Sequence, residues 1–249
     1  MQGFVGVMDS GVGGLTVLAE LARVAPTCNF LYLADHAFCP YGTKTFAEIR
    51  ARVLKVANFL QQNNATSIVV ACNTASVFAA DVAAQTHLPV YDVIAPTCQA
   101  VTEATKTCKV ALLATNATVK SGAYQNILAR QGIQVVAYPC SNFVPLVEQG
   151  ATSAQIDSAV ASTLDGLPSA HCDTVILGCT HFPFLKDYIA KHTGNAQIVS
   201  CDGPVAQLFA QNAPKNGCAK QIFYTTGNPN KARLAARPFA NVAFAHVDL

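Results

Sequence analysis

Short aliphatic runs alternate with helix-like stretches from one end of this chain to the other, and no other feature constrains its fold as tightly. The runs are FVGVM from Phe4, FLYLA from Phe30, SIVVA from Ser67, PVYDV from Pro89, KVALLA from Lys109, VVAY from Val135, TVILG from Thr174, QIV from Gln197 and QIFYT from Gln221. Amphipathic segments separate them. Between Thr43 and Asn63, the residues Phe46, Ile49, Val53, Val56, Ala57 and Leu60 recur at helical spacing, which predicts one buried helical stripe. Strands that alternate with helices form parallel sheets, and such sheets are covered by helices on both faces. The expected class is α/β.

Ligands of open parallel sheets bind beyond the carboxyl ends of the strands, where loops lead into helices. The residues that follow the runs are Asp9-Ser10-Gly11, Asp35, Cys72-Asn73-Thr74, Thr115 with Thr118, and Cys179-Thr180-His181. All are small and polar, or reactive. Two of these loops share a grammar. VVACNTAS from Val69 and VILGCTHF from Val175 each run from aliphatic strand to cysteine to polar pair, and their cysteines lie 107 residues apart. VGVMDSGVGG has a looser echo in VALLATNATVKSG. The repeat predicts two similar α/β domains related by a pseudo-two-fold axis, with an active site in the cleft between them. Residues 1–93 with 206–249 are expected to form the first domain, and 94–205 the second.

Composition narrows the functions open to such a fold. Half of the 249 residues are hydrophobic and only 12% are charged, which suits a packed core and excludes disorder. A net charge of +2 with scattered Lys and Arg gives no phosphate-tracking stripe, so no nucleic-acid partner is expected. No apolar run is long enough for a membrane span, and the N-terminus lacks the basic flank of a signal peptide. A cytoplasmic location follows as the expectation, with the ten cysteines held as thiols. There is no C-x-x-C pair to support a thioredoxin-like or zinc-ribbon reading.

Several motifs invite chemistry and fail. SGVGGLT is neither G-x-G-x-x-G, because Thr16 stands at the last glycine position, nor a P-loop. It reads as a tight strand-to-helix turn whose backbone N–H groups approach an anion. Ser10 is no hydrolase nucleophile, because Met8 occupies the glycine position of the elbow motif. Cys172 and Cys179 flank an extended strand and are separated by roughly 20 Å, so they cannot share a zinc ion. Cys179 with His181 offers too few ligands for a closed site. No metal is expected.

A lone cysteine is ordinarily a small core hydrophobe. Cys28, Cys39, Cys98, Cys108, Cys140, Cys172, Cys201 and Cys218 are read that way. Cys72 and Cys179 differ because they sit at ligand-facing strand ends, as a matched pair, ahead of helix starts whose N–H groups lower a thiol pKa. Asp9, a carboxylate at an apolar strand end, must also find partners or act. Opposed thiols suit inversion of a carbon bearing a weakly acidic hydrogen. One face needs a base and the other an acid, and the two exchange roles in reverse. With no pyridoxal electron sink, preorganised donors and exclusion of water must stabilise the carbanion.

At these residues the chain resembles the glutamate racemases, cofactor-independent enzymes of the aspartate/glutamate racemase superfamily that supply D-glutamate for peptidoglycan. The likeness runs through DSGVGGLTVL, PYGTK, ACNTAS, ATNATVKSGAY, FVPLVEQG and LGCTHFPFL, in order and along nearly the whole chain. It implies Cys72 as the thiol that deprotonates D-glutamate and Cys179 as the one that deprotonates L-glutamate. Asp9 would assist the first and His181 the second. The resemblance assigns Ser10, the Pro40-Tyr41-Gly42 turn, Asn73, Thr74, Thr115, Thr118 and Thr180 to holding the substrate, and Glu148 to the neighbourhood of the cleft. No cofactor is implied, and a homodimer is. LADHAFCPYG departs from the family pattern at His36 and Cys39, as do Ala95-Pro96-Thr97 and Gly203 at their own positions. The alternatives are a sister racemase acting on aspartate or a hydantoin, and a non-catalytic binding protein on the same fold.

Overall fold

The structure, a computed structural model, describes residues 3–167, 171–215 and 217–249. Among them each of the nine aliphatic runs forms a strand. β1 (Phe4–Asp9), α1 (Leu15–Val24), β2 (Phe30–Ala34), α2 (Phe46–Gln62), β3 (Ala65–Val70), α3 (Asn73–Ser76), α4 (Ala79–Thr86) and β4 (Val90–Asp92) come first. They are followed by α5 (Ile94–Ala104), β5 (Lys109–Ala114), α6 (Asn116–Ser121), α7 (Ala123–Ala129), β6 (Gln134–Pro139), α8 (Phe143–Glu148), α9 (Ser153–Thr163), β7 (Thr174–Gly178), α10 (Lys186–Ala190) and β8 (Gln197–Ser200). The chain ends with α11 (Asp202–Ala210), β9 (Gln221–Thr225), α12 (Pro229–Ala236) and a short β10 (Ala245–His246).

The strands make two all-parallel sheets, ordered β10-β9-β2-β1-β3-β4 and β6-β5-β7-β8. Register brings the strand ends level. Asp9 pairs with Ala34 and Met8 with Val70, so the loops after β1, β2 and β3 leave one edge together. In the second sheet Ala114 pairs with Gly178, which sets Thr115 beside Cys179. The last two strands return to the first sheet, where β9 lies against β2.

Helices cover both faces, as continuous apolar strands require. In the first sheet α1 and α11 share one buried cluster and α2 lies in another. In the second sheet, α5 and α7 pack on one face, with α8, α9 and α10 on the other. Helix α2 starts at a reciprocal cap in which Thr45 and Glu48 bond each other's backbone N–H, an arrangement that contributes about 1 kcal/mol. Its stripe is buried from Ile49 to Leu60, each large aliphatic side chain contributing roughly 1.5–3 kcal/mol. Phe46 is the exception. It is 44% exposed at the first turn of the helix, where its ring lies edge-on to Phe78.

The cysteines divide more finely than expected. Cys28, Cys98, Cys140 and Cys201 are buried, whereas Cys39 and Cys172 are partly exposed and Cys108 and Cys218 are exposed. Cys108 and Cys218 sit in the connections ahead of β5 and β9, outside either core. No helix among the described residues is long and apolar enough to cross a membrane.

Candidate active site

The level strand ends of the two sheets face each other, and their loops close on a cavity of about 10 Å³. That is room for roughly one water molecule. From the first sheet its walls are Ser10, the Pro40-Tyr41-Gly42 turn, and Cys72-Asn73-Thr74. From the second they are Thr115, Val144, Cys179, Thr180 and His181. Asp9, Thr118 and Glu148 stand immediately behind these walls and are bonded to them.

Cys72 lies two residues beyond β3, at the N-cap of the four-residue α3, with its sulfur 3.8 Å from the Ser10 hydroxyl. Burial pushes its thiol up to about 12, and the negative charge of Asp9 adds to that shift. The Ala75 N–H of the short helix and the Ser10 hydroxyl act in the opposite sense but are weaker. The expected lowering by the helix start is thus present, and desolvation overrides it. Asp9 is itself buried. Its Oδ2 accepts the Gly11 N–H at 2.9 Å, and its Oδ1 accepts the Thr180 hydroxyl at 3.0 Å, a bond that joins the two sheets' loops. Burial holds this carboxyl above its ordinary value, despite the opposing charge of His181 and the two hydrogen bonds.

The other thiol has a different setting. After Cys179 the chain enters a single 3-10 turn, Phe182–Leu185, and not an α-helix. The companion of Cys179 is His181, whose Nδ1 lies 3.7 Å from the sulfur and whose Nε2 lies 2.6 Å from Glu148 Oε1. Burial would lower this imidazole. The hydrogen bonds to Cys179 and Glu148 outweigh it and hold His181 well above its ordinary value, as a cation. Burial would raise Glu148, but its hydrogen bond with His181 and the nearby His36 imidazole outweigh that penalty and hold it well below the usual carboxylate range.

The glycine-rich turn after β1 does approach an anion, and that anion belongs to the protein. Val12 N–H donates to Glu148 Oε1 at 3.0 Å. The turn reaches across because it lacks side chains. A Cβ on Gly11 would collide with Glu148 Oε1, and one on Gly13 would lie 2.6 Å from Thr180 Oγ1 and 2.7 Å from His181 Nδ1.

The hydroxyls of Thr74, Thr115 and Thr118 form a triangle with sides of 2.9, 3.1 and 2.9 Å. Asn73 is fixed from behind, its Oδ1 accepting the Tyr124 hydroxyl at 2.6 Å and its Nδ2 donating to Cys201 Sγ at 3.5 Å. Asp35, which follows β2, points away from the cavity. It holds the Arg52 guanidinium through both oxygens, at 2.8 and 2.6 Å, and accepts the hydroxyls of Tyr41 and Thr226. Its work is to seat the Pro40-Tyr41-Gly42 turn.

The model of the Asp/Glu/hydantoin racemase family matches residues 5–207. The chain belongs to this racemase family. It is 38% identical to the glutamate racemase of Persephonella marina over 92% of this chain and 91% of that one. A crystal structure of a glutamate racemase isoform from Bacillus anthracis superposes with a TM-score of 0.93 at 31% identity, covering 99% of this chain and 98% of that one. The glutamate racemase of Francisella tularensis, solved in complex with D-glutamate, matches at 0.89 and 29% identity, over 99% and 98%.

Within this family fold, three residues escaped the strand-end rule. Val144 lines the cavity from α8, four residues and therefore one helical turn before Glu148, so the two share a face. Tyr124 bonds Asn73 from α7, and His36 bears on Glu148 from the loop after β2. The helical spacing of Val144 and Glu148 was a readable signal; Tyr124 and His36 become visible only when the two sheets meet.

Proposed function

We propose that this protein interconverts L- and D-glutamate by removing and returning the Cα proton between two thiols, so supplying D-glutamate for peptidoglycan in the cytoplasm. The observation that carries the reading is the placement of Cys72 and Cys179 in the walls of one small cavity, each with its own polar neighbour. Cys72 would serve the D enantiomer with Asp9 behind it, and Cys179 the L enantiomer with His181. Ser10, Asn73, Thr74, Thr115, Thr118 and Thr180 would hold the ammonium and carboxylates of the substrate. The Pro40-Tyr41-Gly42 turn would form the wall.

The substrate completes the electrostatics. A thiol raised to about 12 beside a carboxylate stays protonated at neutral pH, and the ammonium group of an amino acid brings the positive charge that favours its ionisation. Threonine hydroxyls and backbone N–H groups in a water-excluded site then stabilise the carbanion as it develops. A cavity for one water cannot admit glutamate. The two sheets with their covering helices must therefore part and close in each turnover, with α11 (Asp202–Ala210), which spans the expected boundary at 206, moving with the first sheet it packs on.

Circular-dichroism racemisation of each glutamate enantiomer, without pyridoxal phosphate or metal, tests the reading, with aspartate in parallel. Glutamate is expected to turn over from both directions. Faster turnover of aspartate, or a requirement for either additive, would overturn it.

A further inference from the structure

His36 lies in the loop that departs from the family pattern, and the two-thiol mechanism gives it no task. Its surroundings do. Nδ1 is 2.8 Å from the Thr225 hydroxyl, at the end of β9. Nε2 is buried, makes no regular hydrogen bond, and lies 3.4 Å from Glu148 Oε2. The other oxygen of the same carboxylate meets His181 Nε2 at 2.6 Å, and His181 Nδ1 meets Cys179 Sγ at 3.7 Å. The groups form one line from the first sheet to the thiol of the second.

Chemistry fixes the direction of that line. A carboxylate offers only acceptors, so a nitrogen facing it is favourable only when it carries hydrogen. His36 is then the Nε2–H form, and Nδ1 accepts the proton of Thr225. The Thr225 oxygen in turn accepts the Gly227 N–H at 3.1 Å, which leaves its own hydrogen free for the imidazole. At the far end His181 donates from Nε2 to Glu148, and its Nδ1 hydrogen faces the Cys179 sulfur.

We propose that His36 is a positioning residue for the Cys179 half of the reaction, acting through Glu148. With Val12 N–H and His181 on Oε1 and His36 on Oε2, the carboxylate is held at both oxygens and cannot rotate away from His181. Without His36, one oxygen loses its partner, and the imidazole that serves Cys179 loses its fixed orientation. Among the described residues no corresponding line of imidazole and carboxylate reaches Cys72, whose neighbours are Ser10 and Asp9. The effect falls on one face of the substrate.

The inference rests on the glutamate racemase reading, and the experiment separates the two. Racemisation has an equilibrium constant of one, so kcat/KM must fall equally in both directions whatever is changed. Primary isotope effects do not share that constraint. With α-deuterated L-glutamate and α-deuterated D-glutamate, each effect reports how far the proton transfer on that enantiomer's own face limits the rate.

His36→Asn keeps the contact to Thr225 but is too short for Glu148, whereas His36→Gln places an amide N–H near the position of Nε2. His36→Asn is expected to lower kcat/KM about tenfold, the scale of one lost polar contact to a charged group. The isotope effect should rise on L-glutamate, the Cys179 substrate, and fall on D-glutamate. His36→Gln should restore most of the rate and the original balance. Activity of His36→Asn within twofold of the unchanged protein would overturn the proposal. So would a loss in which the two isotope effects keep their ratio, or one that His36→Gln does not relieve. An unchanged protein that does not racemise glutamate would instead sink the functional reading.

Discussion

Cys72 and Cys179 occupy corresponding places in the two sheets, one or two residues beyond the end of a strand whose last residues are buried, and line one cavity. Their neighbours carry opposite charge. Cys72 stands by a buried carboxylate that raises its thiol, while Cys179 stands by an imidazole held as a cation between sulfur and Glu148. A symmetric reaction does not need symmetric proton handling. In the proposed reaction each thiol is a base in one direction and an acid in the other, and a neighbour of either sign can favour one of those states. The strand ends of two parallel sheets place the thiols, and the loops that meet across the cleft make their surroundings different.

The severest test of that comparison removes one thiol at a time. Cys72→Ala and Cys179→Ala should each lower racemisation by about 10³-fold or more, since general acid–base catalysis contributes 10²–10⁴-fold and the proposed reaction uses both thiols in every turnover. The remaining thiol can still take a proton from its own face. In D2O, Cys72→Ala should exchange the Cα hydrogen of L-glutamate with retention, and Cys179→Ala that of D-glutamate. Proton NMR resolves both products. Exchange of both enantiomers by either variant would break the assignment of one thiol to one face.

Much of this was legible in the sequence because parallel sheets bury whole aliphatic runs and put polar residues at their ends. The nine runs became nine strands for that reason, and the Cys72 and Cys179 loops met where the strand-end rule expects. β10 escaped because its two residues, Ala245 and His246, carry no pattern. Asp35 shows the rule's limit: a strand-end carboxylate can turn inward, and only the position of Arg52 on α2 reveals that it does. The state of the Cys72 thiol was not legible either. A helix start is visible in sequence, but the desolvation that outweighs it comes from residues far away in the chain. Glu148 ends a helix and follows no strand, so its contact with His181 depends on the packing of α8 against the loop after β7.

A milder perturbation acts on one side only. Gly13→Ala would place a methyl group 2.6 Å from Thr180 Oγ1 and 2.7 Å from His181 Nδ1, so the imidazole must move. Displacement of a catalytic group by about an ångström can cost 10²-fold. The expected result is a loss of that order in kcat, with the exchange of L-glutamate falling more than that of D-glutamate. Equal falls would show that the turn serves both thiols.

The smallest effects concern stability, and there the two sides should differ in sign. The Asp9 carboxyl is raised from 3.8, so its favourable contribution is complete below that pH and is lost as pH rises through the folded value. At neutral pH its ionised form is a burden. Asp9→Asn can keep the Gly11 bond through its oxygen and donate to Thr180 through its nitrogen, so it should raise the melting temperature at pH 7 and less so near pH 4, while lowering activity. Glu148 is depressed from 4.5 and His181 raised from 6.5. Their pairing therefore stabilises fully between those two values. It weakens as pH falls through the folded value of Glu148 or rises through that of His181. Glu148→Gln should lower the melting temperature most near pH 5.5 and least in alkali, by about 1.5–3 kcal/mol at the maximum, the scale of a hydrogen bond to a charged group. About 2–4 °C per kcal/mol is expected for a chain of this size, within reach of calorimetry across a pH series. If both substitutions moved the melting temperature in the same direction at pH 7, the opposite charges assigned to the two thiols' surroundings would be wrong.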